Sequence, residues 1–229
     1  MKAYQPIIVT VLLSVLTVFH TKAQQTTYLL PDGRALAADK MDSLNEAWGK
    51  GRVLFTHSKA DDEKGIIRLT RLTDEMQQEF ENQRKERQKA FAAMLNNPAP
   101  DFELKDLQNN RWSLKELRGK IVVLNFWFTS CAPCIQEMPE LNQLVQSYDS
   151  KNVVFLGLTH NDAKQVNTFL QKHAFSYTQL PGSHEVDKKY QVSSWPTSMV
   201  IDKEGNIKKI IGSSPKIREE LAGAINALQ

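Results

Sequence analysis

The chain has 229 residues, 41% of them hydrophobic and 24% charged, which is room for one large or two small globular domains. That balance excludes a disordered, collagen-like or multi-pass membrane protein. The formal charge of +3 includes Lys2 and Lys22 of the N-terminal segment, so the rest of the chain is close to neutral and shows no bias toward nucleic acid or anionic membrane.

Lys2 gives the chain a positive start, Ile7–Phe19 is uncharged and mostly apolar, and Thr21-Lys22-Ala23 offers a small-x-small cleavage site. The apolar stretch is shorter than the roughly 20 residues that a hydrocarbon core requires. Residues 1–23 therefore read as a cleaved secretory signal, an uncleaved anchor being the alternative. The mature chain is expected in the periplasm or another extracytoplasmic space, with no transmembrane span.

Residues 24–96 read as a small α+β region. Thr27–Leu30 and the Pro31-Asp32-Gly33 turn predict a short strand or hairpin, and Ile66–Leu72 a second strand after the charged loop Asp61–Gly65. Thr73–Leu95 predicts a long polar helix capped by Thr73 or Asp74, with Met76, Phe80, Phe91 and Met94 as its apolar positions. Its basic run, Arg84 to Lys89, reads as a solvated helix face or a surface for an acidic partner. The role of this region is not legible. Asn96-Asn97-Pro98-Ala99-Pro100 then marks a boundary, placing a second domain over 97–229.

In that domain Ile121–Phe128 is an apolar run of strand length, as a strand buried on both faces requires. Cys131-Ala132-Pro133-Cys134 follows, and a helix continues to about Tyr148, with Pro139 expected to kink it. Val153–Leu158 is a second buried strand and Asp162–His173 a second helix. A connecting stretch, Ala174–Ser194, carries a short helix near Glu185–Tyr190. Thr197–Ile201 and Asn206–Ile211 form a hairpin around Asp202-Lys203-Glu204-Gly205, and the last helix starts with Ser214 as N-cap and Pro215 in its first turn. The class is α/β, in the order β-α-β-α-insert-β-β-α.

The chain holds two cysteines, both in this C-x-x-C. A bridge over two residues closes too short a loop to stabilise the fold much, so redox chemistry outweighs a structural role. At a helix N-terminus Cys131 gains free N–H groups and the positive end of the helix dipole, which favour the attacking thiolate. Cys134, one turn on, is placed to resolve a mixed disulfide. A structural zinc site lacks further ligands at regular spacing, His57, His160, His173 and His184 being scattered; haem attachment would need histidine where Ile135 stands. A Cu(I) chaperone using both thiolates stays open. Glu137, three residues after Cys134, is either a proton carrier for that thiol or a solvent-facing carboxylate. Pro196 alone reads more simply as a trans-proline opening a strand than as a cis one.

Asn125 to Pro139, spanning the C-x-x-C, closely resembles the active-site segment of TlpA/ResA-type thioredoxin-like proteins. Pro98-Ala99-Pro100-Asp101-Phe102 resembles the entry to that domain, and Trp195-Pro196-Thr197 with Val200 to Gly205 its cis-proline loop and hairpin. The resemblance implies a thioredoxin fold over Pro98–Gln229: a mixed sheet flanked by helices, with Ala174–Ser194 as a central insertion. It implies Cys131 as exposed nucleophile, Cys134 as buried resolving thiol, Pro196 as cis-proline and Glu137 as acid–base group, with Trp127, Trp195 and Thr197 near the substrate. Thioredoxin itself has a buried aspartate where this chain has Asn125, which cannot carry a proton. The expected activity is reduction of protein disulfides, with apocytochromes c among the candidates and a membrane-bound thiol donor regenerating the dithiol. The Cys131–Cys134 pair would be the redox centre, with no added cofactor. A net oxidant or isomerase would use the same residues.

Overall fold

The computed structural model describes residues 26–229 except His57 and Glu63. The expected signal, residues 1–23, lies outside the described residues. The chain divides into two compact units, 1–79 and 80–229.

The first unit contains β1 (Thr27–Leu29), β2 (Ala35–Leu36), α1 (Met41–Trp48), β3 (Val53–Thr56), α2 (Lys59–Asp62) and β4 (Ile66–Arg71). Its sheet has the order β2-β1-β4-β3, with β1 and β4 parallel and the other pairs antiparallel. The Pro31–Gly33 turn closes the β1–β2 hairpin as expected, with Gly33 at φ 83°. The Asp61–Gly65 stretch is not simply a loop, because α2 occupies its start. Asp61 there accepts from the Ser58 hydroxyl at 2.7 Å and from Arg68 through two bonds of 2.8 and 3.1 Å. These bonds hold its carboxyl far below the ordinary range, the Arg68 guanidinium contributing most.

The long helix α3 (Asp74–Met94) starts under Thr73, whose hydroxyl accepts from the Met76 N–H at 3.2 Å. The division between the units falls inside it, upstream of the Asn96–Pro100 turn. The reason is visible at its C-terminal end, where Met94 is buried and Phe91 packs against the core of the second unit. Phe80 does not join a core and is 47% exposed.

The second unit continues with β5 (Glu103–Lys105), β6 (Arg111–Ser113), β7 (Ile121–Trp127), α4 (Ala132–Gln146), β8 (Val153–Thr159), α5 (Ala163–Leu170), β9 (Thr178–Pro181), α6 (His184–Lys189), β10 (Thr197–Ile201), β11 (Ile207–Ile211) and α7 (Ile217–Asn226). The five-stranded sheet has the order β11-β10-β7-β8-β9; β7, β8 and β9 are parallel and β10 runs against both its neighbours. This is a thioredoxin fold. The connecting stretch contributes β9 as an edge strand, which a four-residue segment without strong alternation did not announce.

Every residue of β7 and β8 is buried. Alternation along β7 sends Ile121, Val123 and Trp127 into a core shared with Met138, Leu141 and Leu144 of α4, Val166 and Phe169 of α5, and Ile217, Leu221 and Ile225 of α7. Val122, Leu124 and Phe126 face a second core with Leu156, Leu158, Val186, Tyr190, Met199 and Ile201. The helix α4 runs through Pro139 without ending. Ser214 and Pro215 precede α7 rather than open it: the Ser214 hydroxyl accepts from the Lys216 N–H at 3.1 Å, and regular helix starts at Ile217.

Gly157 of β8 allows a bond to cross its strand. The Trp127 indole N–H donates to Gln179 Oε1 of β9 at 3.0 Å, and a Cβ on Gly157 would stand 2.6 Å from that oxygen. Gly157→Ala is expected to break this buried bond or displace β9, costing about 1–3 kcal/mol of folding stability in chemical denaturation.

Candidate active site

β7 ends at Trp127, and a three-residue loop leads to Cys131, which is the N-cap of α4. The loop is held on both sides. The Cys131 N–H donates to Phe128 O at 3.1 Å, and the Thr129 N–H donates to Asn161 Oδ1 at 2.9 Å. Cys131 and Cys134 are joined by a disulfide, with their Cα atoms 5.2 Å apart. The Cys134 N–H, one of the helix's free N-terminal donors, points at Cys131 Sγ from 3.3 Å. In the reduced form that donor and the helix dipole favour a thiolate on Cys131. Cys131 is only 4% exposed and Cys134 2%, so the open exposure expected of Cys131 is absent from the bridged state. The cause is packing, since both sulfurs belong to the α4-side core.

Glu137 is buried at 6% exposure and is not a solvent-facing carboxylate. Its Oε1 accepts from the Ser214 N–H at 2.8 Å, while Oε2 has no partner. Burial pushes its pKa up, with the charge of Glu220 adding, against the downward pull of Ser214 and the Ser213 hydroxyl. A cleft of ≈ 290 Å³ beside it is lined by Pro133, Gln136, Glu137, Ser213 and Pro215. Tyr177, which the sequence did not single out, has a fully buried hydroxyl without a partner; burial, and then the charge of Glu137, push its pKa up.

On the opposite side of the loop the Trp195–Pro196 bond is cis, so the resemblance and not the simpler trans reading holds. Trp195 is half-buried, its ring 5.7 Å from that of Phe128. Two residues expected near a substrate lie in the interior instead. Trp127 is fully buried, with Phe169 and Phe175 at 5.0 and 5.5 Å and its N–H taken by Gln179. Thr197 is also fully buried, its hydroxyl donating to Ser194 O at 2.8 Å. The strand alternation that points Phe126 and Trp127 to opposite cores leaves neither a surface. Asn125 donates to the Ser198 hydroxyl at 3.0 Å and holds the strands together. Among the described residues no group of three or more His, Cys, Asp or Glu is placed to hold a metal.

Residues 95–210 match the family model described as the AhpC/TSA family. The chain is 35% identical over 133 residues to the thiol-disulfide oxidoreductase ResA of Bacillus cereus, covering 57% of this chain and 76% of that one. It is 38% identical over 122 residues to the thioredoxin-like protein YneN of Bacillus subtilis, covering 52% and 72%. The chain belongs to the ResA/TlpA-type thioredoxin-like family. A thioredoxin-family thiol:disulfide interchange protein of Chlorobium tepidum shares the fold, with TM-score 0.51, 24% identity, and coverage of 57% of this chain and 94% of that one. The family-model match lies inside the second unit and includes none of the first. As a thiol–disulfide oxidoreductase of this type, the chain has its dithiol at the carboxyl end of the parallel strands, where α/β sheets place their sites.

Because the folded protein holds the Glu137 proton more tightly than the unfolded chain does, the stability it confers is complete below the ordinary value of 4.5 and is lost as pH rises through the folded value. Glu137→Gln is therefore expected to raise the melting temperature at pH 7, with the gap from the native protein closing as the pH falls below 4.5.

Proposed function

We propose that the chain is an extracytoplasmic reductase of protein disulfides, in which Cys131 attacks the substrate and Cys134 resolves the mixed disulfide. The observation that carries the reading is the free Oε2 of buried Glu137, one helical turn from Cys134. Cys134 is buried and its thiol must lose a proton before it can attack the Cys131 mixed disulfide. A carboxylate whose pKa is raised by burial is a competent acceptor there, and the cleft beside it lets the proton leave. The electrons travel in the sulfurs, so the chemistry calls on no added cofactor.

Residues 1–23 have the pattern of an export signal, and in the described residues no helix is long and apolar enough to cross a membrane. In an extracytoplasmic space the dithiol depends on a membrane-bound thiol donor for its electrons. Apocytochromes c, which must present reduced cysteines to haem, are a substrate class that fits such a reductase.

The reduction potential tests the direction of flow. A value well below about −200 mV is expected, whereas one near about −120 mV would make the protein an oxidant. Cys131→Ser is expected to abolish insulin disulfide reduction, and Glu137→Gln to slow the resolving step by about tenfold or more at pH 7. Tight stoichiometric Cu(I) binding with no disulfide turnover would overturn the reading in favour of a copper carrier.

A further inference from the structure

Each exchange breaks a substrate S–S bond and leaves an electron pair on the departing sulfur. An alkyl thiol has a pKa of about 8.5, so a proton donor at that sulfur speeds the step at neutral pH. Glu137 lies beside Cys134 and accepts from the Ser214 N–H ahead of α7, so a donor for the departing sulfur would be a different group.

The strand register builds one. Trp127 pairs with Thr159 and Phe126 with Thr197, which sets Phe128 between His160 of the β8 end and Trp195 ahead of β10. The His160 ring is 5.2 Å from Phe128 and 5.7 Å from Trp195, and stacks on His184 at 5.4 Å. The adjacent Asn161 holds the Thr129 N–H, tying this segment to the dithiol loop. His160 Nδ1 faces Asp187 Oδ2 of α6 at 3.9 Å, and both atoms are buried without a hydrogen bond. Asp187 is 4% exposed, and its other oxygen receives the Ser183 hydroxyl at 2.7 Å. Burial raises its pKa against the pull of Ser183, His160 and His184. The aromatic neighbours Phe128 and Trp195 add no charge. The His160 side chain is 28% exposed although Nδ1 is buried, so the accessible part of the ring lies away from Asp187. A carboxylate facing Nδ1 selects the tautomer with its proton there and leaves Nε2 for exchange.

We propose that His160, oriented by Asp187, gives its Nε2 proton to the sulfur that leaves the substrate when Cys131 attacks. The Cys131 thiolate forms a bond to one substrate sulfur, the substrate S–S bond breaks, and the electron pair goes to the other sulfur. That sulfur takes the proton from the imidazolium, and the neutral ring is reprotonated from solvent. In the reverse direction the same nitrogen accepts the proton of the incoming thiol. Asp187 is a positioning residue. The proposal rests on Cys131 being the attacking thiol.

The test uses the full-length protein, reduced beforehand, in single turnover with two disulfides. One is a dialkyl disulfide peptide; the other is dithiobis-nitrobenzoate, whose aryl thiolate leaves without needing a proton. His160→Gln is expected to slow the dialkyl reaction by about tenfold or more and to leave the aryl reaction unchanged. Asp187→Asn is expected to slow the dialkyl reaction by a smaller factor, again sparing the aryl one. Equal losses on both substrates would mark a structural effect and overturn the proposal, as would an undiminished dialkyl rate. Cys131→Ser is run in parallel: if it still reacts with either disulfide, the assignment of the attacking thiol fails instead. The aryl reaction also reports that each variant is folded.

Discussion

The point where β7 stops and α4 begins fixes everything the dithiol does. β7 is buried over its whole length between β8 and β10, so its carboxyl end is held by two cores and two strands. The loop after it is too short to wander. Met138, Leu141 and Leu144 then seat α4 in the core that already holds Val123 and Trp127. Each such apolar side chain contributes about 1.5–3 kcal/mol on burial, against about 0.5–1.5 for a typical hydrogen bond. Packing therefore sets the helix, and the helix sets the sulfur: the Cys134 N–H meets Cys131 Sγ because α4 has no freedom to point elsewhere.

The same packing makes the polar groups around the pair few and sparsely partnered. Glu137 has one backbone donor and one free oxygen in a buried setting, and Tyr177 close by has none. In such surroundings a single N–H or hydroxyl moves a carboxyl's proton affinity more than it would at the surface. Asn125 shows the contrast: its amide is satisfied by Ser198 and ties β7 to β10 with no proton to exchange.

What the residues disclosed, and what they hid, follows from the range of the interactions involved. Ile121–Phe128, Val153–Leu158 and the helix after the cysteines are strongly patterned and were readable, since apolar runs and helical spacing are local. The cysteine pair is readable from spacing; spacing leaves Glu137 between a buried group and a solvent-facing one, and the cis state of Pro196 comes from resemblance alone. α1, β3, β5, β6 and β9 are too short to carry such a pattern, and β9 becomes a strand only because β8 offers it an edge. Trp127 ends β7 one residue before the loop, a position that hides which face of the strand it takes until its burial in the α4-side core is seen. His160 and Asp187 lie in different elements and meet only through the register of β7, β8 and the β9–α6 segment, a long-range fact that no local spacing encodes. The unit division inside α3 is hidden for a similar reason, since Met94 belongs to a core whose other members come later in the chain.

The bond from Trp127 to Gln179 over Gly157 ties the edge of the sheet to its central strand across the strand between them. β9 is tied by that side-chain bridge to the strand that carries the active-site loop, so its sequence and register are constrained from the inside of the protein. Beyond Pro181 the chain is fastened again, by the Ser183 N–H to Thr159 O at 2.9 Å, by Val186 and Tyr190 in the second core, and by the Tyr190 hydroxyl to Pro100 O at 2.6 Å. The insertion is thereby part of the frame that carries the active-site loop, pinned once through the sheet and once through the second core.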